Sequence, residues 1–90
     1  MAIELKKPLP ELTSTLIRKY TNQIDIITAA ESKGISYEVL KRVVYRTANV
    51  TEKNVKGVDV LILIAQVNCE KTIVQAQNDL PLIESLTQTK

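Results

Sequence analysis

The sequence predicts an all-α fold, a small bundle of about four helices. Apolar residues recur at intervals of three and four over most of the chain, Gly34 stands where the first such stripe ends, and only one apolar run alternates like a strand. A chain of 90 residues is too short to divide its core between two domains. We therefore expect an extended arm over residues 1–9 and a single helical domain over residues 10–90.

The first helical stripe follows Pro10, since proline is well suited to the first turn of a helix. It contains the regularly spaced apolar side chains Leu12, Leu16, Tyr20, Ile24 and Ile27. The stripe continues to Lys33, but the polar residues Thr21, Asn22 and Gln23 equally suit a helix boundary. One helix over residues 10–33 and two shorter helices are both compatible with this pattern.

Gly34 is a strong helix stop, because glycine readily adopts the left-handed backbone that closes a helix. Ser36 then supplies a side-chain oxygen suited to capping a new helix, and Glu38 places a negative charge in its first turn. Leu40, Val43 and Val44 give this helix one apolar face. We expect a second helix over residues 36–48.

The most apolar run, within residues 55–67, is ambiguous. Val58, Val60 and Ile62 alternate as they would in a strand, and a strand over residues 57–67 could pair with its symmetry mate in a dimer. The helix is favoured because residues 51–53 are typical of a helix start and no second run is present to form a sheet. From Asn68 helical spacing returns, and we expect that helix to end near Asp79 because Pro81 disfavours helix in the residue before it. A short terminal turn follows.

The composition argues against catalysis and against secretion. The chain has no histidine and one cysteine, Cys69, so no nucleophile with a base, metal-ligand set or cofactor motif is recognisable. Neither a secretory signal nor a membrane-spanning run is present, which favours a cytoplasmic protein without membrane contact. The core is almost entirely aliphatic, and we expect a homodimer to bury enough apolar area.

Residues 29–46 contain a small residue, Ala30, followed four residues later by Gly34 and then by apolar Ile35. Leu40 and Val43 lie where the inner face of the next helix would be. In these features the stretch resembles the helix-turn-helix units of DNA-binding proteins, over about 20 residues. The resemblance implies a recognition helix that begins near Ser36.

The resemblance further implies DNA as the partner of a dimer. The residues it places against DNA are Ser36, Tyr37, Lys41, Arg42, Tyr45 and Arg46. Glu38 is compatible either with a contact to cytosine or with an ion pair to Arg42. The alternative is a non-enzymatic protein-protein interaction module that docks on a larger protein, through the face of Tyr37, Lys41 and Tyr45 or through residues 58–67. The sequence leaves both functions open.

Overall fold

The computed structural model describes the backbone of residues 3–86 and the side chains of residues 3–83. It contains α1 (Glu11–Tyr20), α2 (Gln23–Ser32), α3 (Tyr37–Val44) and α4 (Val55–Leu86). No strand occurs in residues 3–86, so the all-α prediction is confirmed. The alternative of a strand over residues 57–67 is wrong, because these residues lie inside α4 and pack against the other three helices.

The stripe over residues 10–33 forms two helices, and Asn22 separates them. The Asn22 side chain accepts a hydrogen bond from the backbone N–H of Asp25 at 2.9 Å, and the Asp25 carboxylate accepts one from the backbone N–H of Asn22 at 3.0 Å. This reciprocal capping box satisfies amides that would otherwise lack partners at the start of α2. The Asn68 side chain, on α4, donates to the carbonyl of Tyr20 at 2.8 Å and so closes the end of α1.

The core lies between α1, α2, α3 and the first half of α4, residues 55–69, here called the proximal half. Its fully buried members are mostly aliphatic: Leu9, Ile17, Leu40, Val43, Val44, Val50, Val58 and Leu61. Gly57 lets α4 approach the other helices closely. A Cβ at this position would lie 3.0 Å from a methyl of Ile35 and 3.0 Å from a methyl of Leu40.

Residues 3–9 of the arm are tied to the bundle. Leu9 is fully buried. The backbone N–H of Lys6 donates to the carbonyl of Val50 at 2.7 Å, and that of Val50 donates to the carbonyl of Lys7 at 2.8 Å. These bonds hold the arm beside the loop that joins α3 to α4.

The second half of α4, residues 70–86, projects from the bundle and is here called the distal half. Every residue from 70 to 83 is exposed, and the molecule extends over 60 × 25 × 17 Å. The predicted helix end near Asp79 is wrong, since α4 continues through Pro81. Proline removes one helical hydrogen bond, which water can replace at an exposed position. No helix of the described residues is long and apolar enough to cross a membrane.

Candidate nucleic-acid interface

The turn between α2 and α3 is built around Gly34, as the sequence predicted. Gly34 has φ of 65°, in the left-handed region. The N–H of Gly34 donates to the carbonyl of Glu31 at 3.3 Å, and the N–H of Ile35 donates to the carbonyl of Ala30 at 2.9 Å. These two bonds form a Schellman motif, and the buried side chain of Ile35 fixes the direction in which the chain leaves it.

Helix α3 has one face in the core and one face in solvent. Leu40, Val43 and Val44 are fully buried, so the rotation of the helix about its own axis is fixed by packing. The opposite face, here called the outer face of α3, consists of exposed residues at helical spacing: Glu38, Lys41, Arg42 and Tyr45. A rigid helix that presents cations on its solvent side is chemically suited to an anionic partner.

Lys41 and Arg42 have no carboxylate partner in the described part of the chain. The ion pair found there joins Lys7 to Glu4 on the arm. The pair between Glu38 and Arg42 that their spacing allows does not form. Two neighbouring cations on the outer face of α3 therefore carry charges that no carboxylate of the described residues neutralises.

Ser36 precedes α3 and is exposed, but its hydroxyl does not cap the helix. The capping role expected for it is therefore wrong. The backbone at Ser36 is extended and its carbonyl accepts the N–H of Leu40 at 3.0 Å, so the helix begins without the side chain. The hydroxyl at the start of α3 remains available to a ligand.

Arg18 of α1 joins the predicted residues around a polar cavity of about 150 Å³, together with Tyr37, Lys41 and Tyr45. The Arg18 guanidinium lies over the Tyr45 ring, 5.4 Å from its centroid, and the Lys41 ammonium lies 5.8 Å from that of Tyr37. At these distances each ring attracts the cation. Thr21, Asn22 and Gln23, at the junction of α1 and α2, also line the cavity.

Sequence spacing offered no signal for Arg18, which belongs to a different helix from the predicted residues. Tyr37 is half-buried and packs against the core, so part of its ring belongs to the fold and the rest lines the cavity. Tyr45 caps the end of α3 and is 49 % exposed, which leaves much of its ring open to a partner. The cavity therefore combines two cations with two aromatic rings.

Arg46 lies beyond the end of α3 and has a role in the fold. Its Nε donates to the carbonyl of Leu9 at 2.8 Å, which ties the arm to α3. Its φ of 64° is in the left-handed region, where an arginine is strained. The N–H of Arg46 donates to the carbonyl of Val43 at 3.1 Å and that of Thr47 to the carbonyl of Arg42 at 2.9 Å, a second Schellman motif. This motif ends α3 at Val44, four residues before the predicted end at residue 48.

No group of three or more histidine, cysteine, aspartate or glutamate side chains that could hold a metal ion occurs in the described part of the chain. Comparisons with protein-family models, with curated proteins and with solved structures found no match.

Proposed function

We propose that this chain is a small cytoplasmic DNA-binding regulator or accessory factor, without catalytic activity, that contacts DNA with the outer face of α3 and acts as a homodimer. One observation carries the proposal. Lys41 and Arg42 are exposed side by side without a carboxylate partner, on a helix whose other face is fully buried. Unneutralised cations on a rigid helix are the usual means by which a protein binds a nucleic acid backbone and reads base edges.

The residues around these two cations have roles that follow from their positions. Arg42 is exposed and does not line the polar cavity, and it is suited to guanine, whose two acceptors match a guanidinium. Lys41 and Arg18 both border the polar cavity, where they are suited to one backbone phosphate. Ser36 at the helix start offers a hydroxyl to the same backbone, and Tyr45 offers an exposed ring.

The test is binding of the purified full chain to mixed-sequence duplex fragments, measured by fluorescence anisotropy over a series of salt concentrations. Binding is expected at low salt and should weaken steeply as salt is added, because phosphate contacts release counterions. Lys41→Ala with Arg42→Ala should raise Kd roughly 10- to 100-fold and lower the magnitude of the salt slope by about 1 to 2.

A matched control removes the same charge elsewhere. Lys53→Ala with Lys71→Ala changes two exposed lysines, one before α4 and one on its distal half, and should leave Kd nearly unchanged. Absence of salt-dependent binding by the unaltered chain contradicts the proposal. An equal loss in the control pair contradicts the assignment to α3.

A protein-protein interaction module is the second candidate, because the chain exposes apolar side chains. Leu63 and Val67 are 62 % and 48 % exposed. Val58, Leu61 and Ala65 of the same run are buried, so only part of the surface suggested by residues 58–67 is available to a partner. A chain that ignores DNA at low salt and co-purifies stoichiometrically with one larger host protein has this second function.

A further inference from the structure

An apolar seam runs along α4 and continues beyond the bundle. Its members alternate at intervals of four and three residues: Ile62, Gln66, Cys69, Ile73, Ala76, Leu80 and Ile83. All but Gln66 are apolar. This heptad spacing is typical of a helix that packs lengthwise against another helix. In the distal half, the described structure places no helix against the seam.

The distal half has little support of its own. Its side chains from residue 70 to residue 83 are exposed, and Pro81 cannot donate a helical hydrogen bond. Among the described residues no ion pair involves it. A helix of this length without tertiary contacts is only marginally stable in water. A second helix along the seam would supply the missing contacts.

The other end of the seam runs into an apolar groove between α1 and α4. The groove measures about 350 Å³ and is lined mainly by Leu16, Ile17, Tyr20, Ile62 and Cys69. Leu16 is 44 % exposed at its edge. One molecule thus presents a projecting apolar helix and, further along the same seam, a groove of the same chemistry. In two copies related by a two-fold axis, the projecting helix of each copy can lie along the seam of the other copy and reach its groove.

We propose that α4 forms an antiparallel homodimer contact in which each distal half packs along the seam of the other copy and reaches its groove. A two-fold axis that crosses the seam at the level of residues 74 and 75 places Cys69 against Leu80 of the partner subunit. It also places Ile73 against the partner subunit's Ala76. Each of these two layers sets a small side chain against a large one, as a closely packed helix pair requires. Ile83 arrives beside Gln66 of the partner subunit, at the groove.

The shape of these surfaces favours a second copy in this orientation. The layers that pair run from residue 66 to residue 83, about 26 Å at 1.5 Å per residue, so the α4 contact is a narrow strip to which the groove adds at both ends. A parallel pair would place groove against groove and Leu80 against its own symmetry mate. That arrangement leaves the grooves unfilled.

The first test compares Ile73→Lys with Val74→Lys by sedimentation equilibrium of the full chain without DNA. Both side chains are 53 % exposed and adjacent on α4, but only Ile73 lies on the seam. Ile73→Lys should raise the dimer Kd on the order of 100-fold, because it places a charge in the contact. Val74→Lys should leave it nearly unchanged. A monomeric unaltered chain at tens of micromolar, or equal effects of both variants, overturns the contact.

The second test uses the lone Cys69 and does not depend on the stability of a disrupted variant. Leu80→Cys should form a disulfide-linked dimer on mild oxidation, since Cys69 faces position 80 of the partner subunit. Cys69 and position 80 of one chain lie about 16 Å apart along the helix, too far to bridge. Asn78→Cys, on the opposite side of α4, is the matched control and should not cross-link.

Cross-linking of the unaltered chain through Cys69 alone indicates a parallel pair and overturns the antiparallel arrangement, as does equal cross-linking of Asn78→Cys. The antiparallel contact of α4 rests on the homodimer of the proposed function. Both tests omit DNA and involve α4 alone, so their failure leaves the DNA contact of α3 to be judged by its own experiment.

Discussion

Asn54 joins the loop after α3 to the start of α4, and its removal should destabilise the fold measurably. Its side-chain oxygen accepts the backbone N–H of Thr51 at 2.7 Å, and its side-chain nitrogen donates to the carbonyl of Asn49 at 3.1 Å. The residue is 4 % exposed, so in Asn54→Ala water cannot easily take the place of the lost amide. At about 1 kcal/mol net for each hydrogen bond, the expected loss of unfolding free energy is about 2 kcal/mol.

A loss of this size is a substantial share of the stability of a 90-residue chain. At about 4–8 °C for each kcal/mol in a domain of this size, Tm should fall by roughly 8–16 °C. Thermal and urea unfolding followed by far-ultraviolet circular dichroism measures both quantities. Protein concentration must be held constant, because the proposed dimer would make Tm depend on it.

Asn49→Ala is the matched control for Asn54→Ala. Asn49 is exposed and accepts the bond through its backbone carbonyl, which alanine retains. Its substitution should change the unfolding free energy by less than about 0.5 kcal/mol. If Asn54→Ala melts within about 2 °C of the unaltered chain, or if Asn49→Ala is equally harmful, the hydrogen bonds of Asn54 do not secure α4 as described.

Substitutions at two further positions test how α3 is anchored. The buried Ser14 hydroxyl donates to the carbonyl of Val44, so Ser14→Ala should lower the unfolding free energy by about 1–3 kcal/mol, measured by urea unfolding. Arg46→Ala loses the bond to the Leu9 carbonyl and keeps the left-handed backbone, whereas Arg46→Gly loses the same bond and relieves the strain. The glycine variant should be more stable than the alanine variant by about 1 kcal/mol, by the same measurement.

Thr15→Ala serves as the control for Ser14→Ala. The Thr15 hydroxyl donates to the Glu11 carbonyl within α1 at an exposed position, so its loss should change the unfolding free energy little. Equal effects at Ser14 and Thr15 would show that the buried bond to Val44 contributes nothing. Arg46→Gly as unstable as Arg46→Ala would show that residue 46 is not strained in solution.

The helices were predictable wherever one residue type decides the local backbone. Gly34 ended α2 as expected, and the apolar spacing of Leu40 and Val43 placed the buried face of α3 correctly. The end of α3 was not predictable, because its left-handed residue is Arg46, a residue type that gives no stop signal. The continuation of α4 through Pro81 was missed because proline usually interrupts a helix.

The outer face of α3 was predictable from helical spacing alone, since Lys41 and Arg42 lie opposite the apolar residues of the same helix. Arg18 could not be found in this way. Its contact with Tyr45 depends on the packing of α1 against α3, which the local sequence does not indicate. For the same reason the bond from Arg46 to Leu9, which spans 37 residues, could be seen only in the folded chain.

The most direct test of the DNA-binding proposal maps the contact on the protein itself. Amide chemical shifts of the isotope-labelled full chain would be followed during titration with a short duplex at low salt. We expect the largest changes in residues 36–46 and at Arg18, with residues 70–83 unaffected. Changes confined to α4, or no changes while the chain remains folded, would contradict the assignment of α3 as the DNA-contacting helix.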